Sequence, residues 1–450
     1  MTEPLKADLA EGLRARVDAL IGAAWDVGLT DAPPALERVL VRDLETVTAD
    51  LLEQALSPTA EAPPEAPAPP EAEAPPEENP FDLDALDKVI LLVVLPVLSE
   101  KTGYRVIARE LDVRTRQWNS PVTVPAWQVA KLCDAAFRAV SRAFAPLAQI
   151  VAVDEKQVTL RLRAAGLPTR DNTFVPVKPG QVFRPVIRHN DRNGKLRATN
   201  PIPWTFLTVD EVRQAGLTST LHTGIRTPLS GRRRGRFEQL ALAVVPPGKP
   251  TRLVLQSRTD PDEVLIGYDV FSHPPGSKST EFVGRTDRQG AVVIPPAEHP
   301  LRVLLVKNGG EFLGRLPLVP GVEPEVSAAI ANDDQRLEAE GFITGLQEEL
   351  IDLVTRREVL LAQASRQLEE KEFDEAEKLV RQLQGLEGRD DFALHMTQEE
   401  KKVFSPDRLI QAKIDAMFSK TRKLVAEYLN PSAIDQLDRQ LHEARGAGRL

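Results

Sequence analysis

Cysteine, aromatic residues and basic charge are all scarce in this chain of 450 residues. Cys133 stands alone, which excludes an intrachain disulfide and a cysteine-rich zinc site, since each needs at least two thiols. It sits mid-way in an amphipathic segment, where a thiol packs as a small apolar side chain. Aromatic residues make up only 5%, so the cores must be built from Leu, Val, Ile and Ala. Long apolar runs are missing too. The longest, Val89 to Val97, contains Pro96 and falls well short of the ~20 residues a membrane helix needs. No basic stretch followed by an apolar one opens the chain, so no signal peptide is expected, and the sequence as written reads as cytoplasmic. Lys and Arg number 57 against 66 Asp and Glu, a formal net charge of −9 that argues against nucleic acid or an anionic membrane as the main partner.

Catalytic signatures are equally thin. The six histidines, His189, His222, His273, His299, His395 and His442, are isolated, and none forms a His-Glu-x-x-His pair. No Gly-x-Ser-x-Gly elbow occurs, and Ser277-Lys278-Ser279 lacks the upstream glycine of a phosphate loop. We expect no catalytic residue, no metal and no cofactor.

What is present is modular. Residues 1–56 carry apolar stripes at helical spacing, Leu5, Leu9, Leu13 and Val17, then Leu36, Val39, Leu40 and Leu44, parted by Asp31-Ala32-Pro33-Pro34. They read as a helical pair. Residues 57–80 hold nine Pro, six Glu and no basic residue, the composition of an extended, self-repelling spacer that buries nothing. Residues 81–164 read as a small α/β unit. Lys88 to Leu95 suits a central strand buried on both faces, Tyr104 to Val113 alternates, Val129 to Leu147 is a helical stripe, and Ile150 to Leu162 closes the unit as strand. Residues 165–250 are rich in β-branched residues, Pro and Gly, with a strand-turn-strand pattern at Val177-Lys178-Pro179-Gly180-Gln181-Val182-Phe183, and read as a barrel-like β region. Residues 333–450 are helical. An N-cap cluster Asn332-Asp333-Asp334 starts a stripe to Leu368, Glu369 to Asp374 breaks it, and Ala376 to Leu386 returns as a hairpin. A further helix runs from Asp407 to Leu429. This tail is a candidate surface for self-association.

Between these lies the most patterned stretch, 251–332. Gly267-x-x-Val270 is followed by Gly284-x-Thr286-Asp287-x-x-Gly290-x-Val292-x-Ile294 and then by an apolar strand. Asp287 can cap a tight turn, Gly290 supplies a positive φ, and Val292 and Ile294 point inward. This pattern resembles the carboxypeptidase-regulatory or transthyretin-like β-sandwich. The resemblance implies about seven strands and a holding or recognition module without hydrolase activity. The order of elements in 81–164 resembles the small α/β modules of envelope lipoproteins used in curli secretion and flagellar assembly, and Glu372 to Leu379 resembles the second helix of a tetratricopeptide hairpin. The full order of units resembles an uncharacterised family of multidomain bacterial proteins, which implies no activity.

The one dense basic cluster is Ser230-Gly231-Arg232-Arg233-Arg234-Gly235-Arg236. Arg232, Arg233, Arg234 and Arg236 can contact an anion or an acidic partner through their forked guanidinium groups, or simply be a solvated loop. Trp204 and Arg226 are candidate neighbours. The fold class expected is multidomain α+β: N-terminal helices, a small α/β unit with an attached barrel-like region, a transthyretin-like sandwich and C-terminal helices. The function expected is that of a non-catalytic structural or interaction protein of the bacterial cell envelope. The alternatives are a cytoplasmic adaptor and an enzyme whose site the motifs miss.

Overall fold

The computed structural model describes residues 3–56, 83–97, 103–163, 169–171, 176–213, 216–229 and 236–447. The Pro/Glu tract and Arg232, Arg233 and Arg234 fall outside these residues.

The first unit is a small antiparallel sheet with helices on both faces. Strand β2 (Gly103–Asp112) is its centre, pairing with β1 (Lys88–Val97) on one side and with β3 (Gln117–Trp118) and β4 (Val122–Ala126) on the other. The Lys88 run is therefore an edge strand, not the central one its unbroken apolarity suggests. The reason is coverage of both faces. Helices α1 (Glu3–Leu20) and α4 (Leu132–Ala143) share a cluster with Val106, Ala108 and Val124. Helices α2 (Pro34–Arg42) and α3 (Ala49–Leu56) share another with Leu91, Val93 and Leu111. Pro96 fits this edge position, where a missing N–H costs no ladder bond. The expected helical pair is thus three helices. The second stripe breaks because Asp43 turns its carboxylate onto the N–H of Glu45 (2.9 Å) and Thr48 caps Leu51 N–H (3.2 Å).

The second unit is a closed six-stranded barrel. Strands β5 (Leu147–Asp154), β6 (Gln157–Leu162), β7 (Val182–Asn190), β9 (Thr205–Arg213), β10 (Gly216–Thr223) and β11 (Phe237–Ala243) close in the order β11-β5-β6-β10-β9-β7-β11. Strand β8 (Leu196–Pro201) hangs on β7 as a hairpin. Val158, Leu160, Phe183, Leu207, Leu217 and Ala241 fill the interior. Ile150 to Leu162, expected to close the α/β sheet, instead pairs with β10 and β11. Strand spacing specifies a buried face but not which sheet receives it. Gly180 turns the chain at φ +84°, as its Pro-Gly context implies. Trp204, immediately before β9, sits at φ +50°.

Two further sheets follow. One is β15 (Ala291–Ile294), β12 (Thr251–Ser257) and β18 (Glu325–Ile330); the other is β14 (Glu281–Arg285), β13 (Asp269–His273), β16 (Arg302–Asn308) and β17 (Glu311–Leu318). Leu253, Leu255 and Ile294 from the first and Val270, Leu304 and Leu316 from the second form one shared core, so the sheets lie face to face. Strand β18, parallel to β12, is the seventh strand, absent from the sequence reading because Glu325–Ile330 alternates only weakly. The turn after β14 is built as its residues imply. Asp287 Oδ1 accepts the N–H groups of Gln289 (2.8 Å) and Ala291 (3.0 Å), and Gly290 takes φ +68°. A Cβ on Gly290 would lie 2.8 Å from Leu255 O. At Gly267 the space beside the Cα is open, and φ +81° is the requirement.

The tail is a long helix α5 (Asp334–Glu369), about 54 Å, flanked by shorter ones. α6 (Phe373–Gln384) returns along its distal half as the expected hairpin, with α9 (Ser432–Ala447) joining Ala364, Val380 and Leu441 in one cluster. The proximal half packs Ile343 and Leu346 on α7 (Arg389–Glu400) and α8 (Arg408–Tyr428). Helix α7 escapes the sequence reading because only Phe392 and Met396 of its residues are buried.

Candidate functional site

The barrel segment 176–243 carries twelve Lys and Arg against four Asp and Glu, inverting the balance of the whole chain. Much of this charge gathers at one barrel end. Asp191 Oδ1 accepts the N–H groups of Asn193 and Lys195 (both 2.8 Å), folding the β7–β8 turn tightly, and the turn residue Arg192 is exposed, as are Lys195 and Arg197. Asn190 donates its N–H to Arg236 O (2.9 Å), which fixes the start of β11 beside that turn. Phe237 meets His189 edge-on at 4.7 Å and is 46% exposed. Among the described residues, Arg192, Lys195, Arg197 and Arg236 have no acidic partner. Glu238 is the local counter-charge. Burial raises its pKa, but hydrogen bonds from Arg114 (2.7 Å) and Asn190 (3.0 Å) outweigh burial and hold the carboxyl below its usual range.

Of the arginines singled out by sequence, Arg236 is thus placed, exposed, at this end, while Arg232, Arg233 and Arg234 lie outside the described residues. Trp204 does not join them; it packs against the core of the following sheets. Arg226 is exposed in the connection from β10 to β11. The β7–β8 cations were missed because their turn is ordinary in sequence and only β11 brings it beside Arg236.

A second constellation is buried. Lys88 Nζ donates to Glu110 Oε1 (2.6 Å), Asp112 Oδ2 (3.0 Å) and Ala145 O (2.6 Å), using all three of its protons. Glu110 Oε2 accepts Ala145 N–H (2.8 Å), and Asp112 Oδ1 accepts the N–H and hydroxyl of Thr115. The Phe144 ring lies 5.1 Å from Nζ. Burial pushes Glu110 up to about 7 against the opposing pull of Lys88 and Ala145 N–H. Burial lowers Lys88, but the two carboxylates outweigh it and its pKa is raised. With all three ammonium protons and all four carboxylate oxygens hydrogen-bonded, the cluster holds Ala145, the residue that leads from α4 into the barrel. The β register places Lys88 opposite Asp112, and Glu110 one step further on the same face, so acids at i and i+2 in a core strand were the available signal.

The tail joint has the same design. Tyr268 hydroxyl donates to Asp334 Oδ1 (3.0 Å) and accepts Asp333 N–H (2.8 Å). Asp333, fully buried, faces the Arg336 guanidinium (2.7 Å), which also reaches Asn308 O (3.2 Å). Asp333 therefore does not cap α5 as expected; it is spent on Arg336, while Asn332 accepts Asp334 N–H (3.0 Å). Burial raises the Asp333 pKa despite Arg336. Arg258–Asp407 (2.5 Å) and Lys413–Glu311 tie α8 to the sheets. Between barrel and sheets, Gly224 lies so close to Arg315 O that a Cβ would come within 2.4 Å of it. Burial and the neighbouring Arg315 lower the His222 pKa there.

Cys133 is half-buried with Sγ against Gly12 of α1. Among the described residues, no three His, Cys, Asp or Glu side chains gather as a metal ligand set, and no helix is long and apolar enough to cross a membrane. No protein-family model matches this chain, and no curated protein matches it.

Proposed function

We propose that this chain is a non-catalytic modular interaction protein that presents the basic barrel end to an acidic protein partner, with the helical tail available for self-association. The observation that carries the reading is how its buried charges are employed. Lys88, Glu110 and Asp112 join the α/β unit to the barrel, and Asp333 and Arg336 join the sheets to the tail. A reaction centre turns its charged groups toward substrate; these groups are turned onto one another and onto backbone at joints. The cations at the barrel end, in contrast, are exposed and without acidic partners among the described residues. Forked guanidinium groups beside an exposed aromatic suit carboxylate-rich surfaces. The seven strands in two sheets and the Thr286–Gly290 turn support the transthyretin-like reading of 251–332 as a rigid holder. Placement in the bacterial envelope rests only on the order of elements along 81–164, since β5 and β6 belong to the barrel.

Fluorescence anisotropy with labelled decaglutamate tests the proposal. We expect binding by the full chain that weakens with salt and is lost when Arg192, Lys195, Arg197 and Arg236 are all changed to Gln. Equal binding by that variant sinks the surface assignment. Hydrolytic turnover of ester, phosphate or peptide substrates by the pure chain, abolished in Glu110→Gln, sinks the non-catalytic reading.

A further inference from the structure

Strand β8 leaves one side of its backbone open. It stands at the end of its sheet, and among the described residues β7 is the strand that pairs with it. Successive residues of a strand turn their N–H and C=O to opposite sides. Ile202 N–H donates to Pro185 O (3.0 Å), and Asn200 and Ala198 follow in the same alternation, opposite Ile187 and His189. Asn190, next along β7, turns its N–H the other way, to Arg236 O. Thr199 therefore presents its N–H and C=O away from β7, and Pro201, which has no N–H, offers a carbonyl on the same side. Arg197, Ala198 and Asn200 are exposed, so solvent reaches this edge. The edge strand β14 differs, because its charges are spent in place, Arg285 on Asp269 (2.7 Å) and Glu281 on Arg302 (3.1 Å). At β8, Arg192, Lys195 and Arg197 have no acidic partner among the described residues.

We propose that β8 takes an extended segment of the acidic partner as an added strand, in which every second residue is Asp or Glu. This rests on the reading of the barrel end as a surface for acidic partners. Backbone pairing with Thr199 fixes the segment along β8, and its side chains then alternate between the two faces. On the Thr199 face the register partner is Arg188, and the cations of the β7–β8 turn lie at one end of the strand. Acids two residues apart all fall on that face. The residues between them lie along Ala198 and Asn200, which ask for no more than a β-forming side chain. Charge selects the occupant. A second copy of this chain is the poorer one, because its own β8 contains neither Asp nor Glu and brings further cations to the contact.

Two fluorescein-labelled octapeptides of one composition test this on the full chain, one alternating Glu with Thr, the other with its four Glu ahead of its four Thr. Charge attraction alone treats them alike, whereas an added strand gathers all the acids on one face in the first peptide alone. We expect the alternating peptide to bind about tenfold tighter, the worth of one or two backbone hydrogen bonds. Thr199→Pro removes the outward N–H and keeps every charge, and proline is tolerated on an edge whose N–H faces solvent. It should bring the two affinities within about twofold of each other. In the unmodified chain, hydrogen exchange at the Thr199 amide should slow when the alternating peptide is added. Equal affinity for the two peptides, unchanged exchange at Thr199, or a gap that persists in folded Thr199→Pro overturns the inference and leaves charge attraction at the barrel end standing. If the parent binds neither peptide the inference falls, and the decaglutamate assay decides whether the surface reading falls with it. A dimer of the free chain that Thr199→Pro dissolves makes a second copy the occupant and also overturns the inference.

Discussion

Changing Glu110 to Gln isolates the electrostatics of the joint between the α/β unit and the barrel. Glu110 is completely buried, and its carboxyl is pushed from 4.5 to about 7. The groups facing it are Lys88, Asp112 and the N–H of Ala145. Because the folded chain holds this proton more tightly than the unfolded one, the group's contribution to stability is complete below about pH 4.5. It is lost as pH rises toward 7. A shift of about 2.5 units corresponds to roughly 3 kcal/mol at ~1.36 kcal/mol per unit. Glutamine cannot titrate, so the stability difference between wild type and Glu110→Gln should move by about that amount between pH 4 and pH 8, in favour of the variant at the higher pH. Trp25, 4.5 Å from Phe144, and Trp118 on β3 report unfolding of this unit by fluorescence in urea. Hydrogen exchange at the Ala145 amide gives a second readout at the joint. A stability difference that stays constant across this range, or moves the opposite way, refutes the reasoning.

Arg336→Met strands fully buried Asp333 without its cation, which typically costs about 3–5 kcal/mol; we expect a lower melting temperature and new proteolytic cleavage near residue 332, read by mass spectrometry. Gly290→Ala combines a positive φ with a Cβ 2.8 Å from Leu255 O, whereas Gly267→Ala meets only the positive φ, so thermal unfolding should show the first more destabilised, by about 1–3 kcal/mol. Gly12→Ala places a methyl 2.7 Å from Cys133 Sγ and should destabilise by about 1–3 kcal/mol, and Cys133→Ala in the same chain should restore part of the loss in a double-mutant cycle.

The sequence by itself determined the local grammar of this protein. Helical stripes in α1, α4, α5 and α8, the hairpin break after Glu369, the Asp287–Gly290 turn and the inward Val292 and Ile294 all follow from side-chain period, capping and permitted φ, which act within a few residues. Tertiary structure decided what those elements join. Whether β5 and β6 complete a sheet or a barrel, and whether β1 is central or an edge, depends on partners distant in the chain, and a strand's two-residue period is the same in either case. The charged sites belong to this second class. Lys88 meets Glu110 only through the β1–β2 register, and Lys195 comes near Arg236 only because β11 closes the barrel beside β7. Pairing of charges is a matter of a few ångströms in space, and separation along the chain carries no record of it.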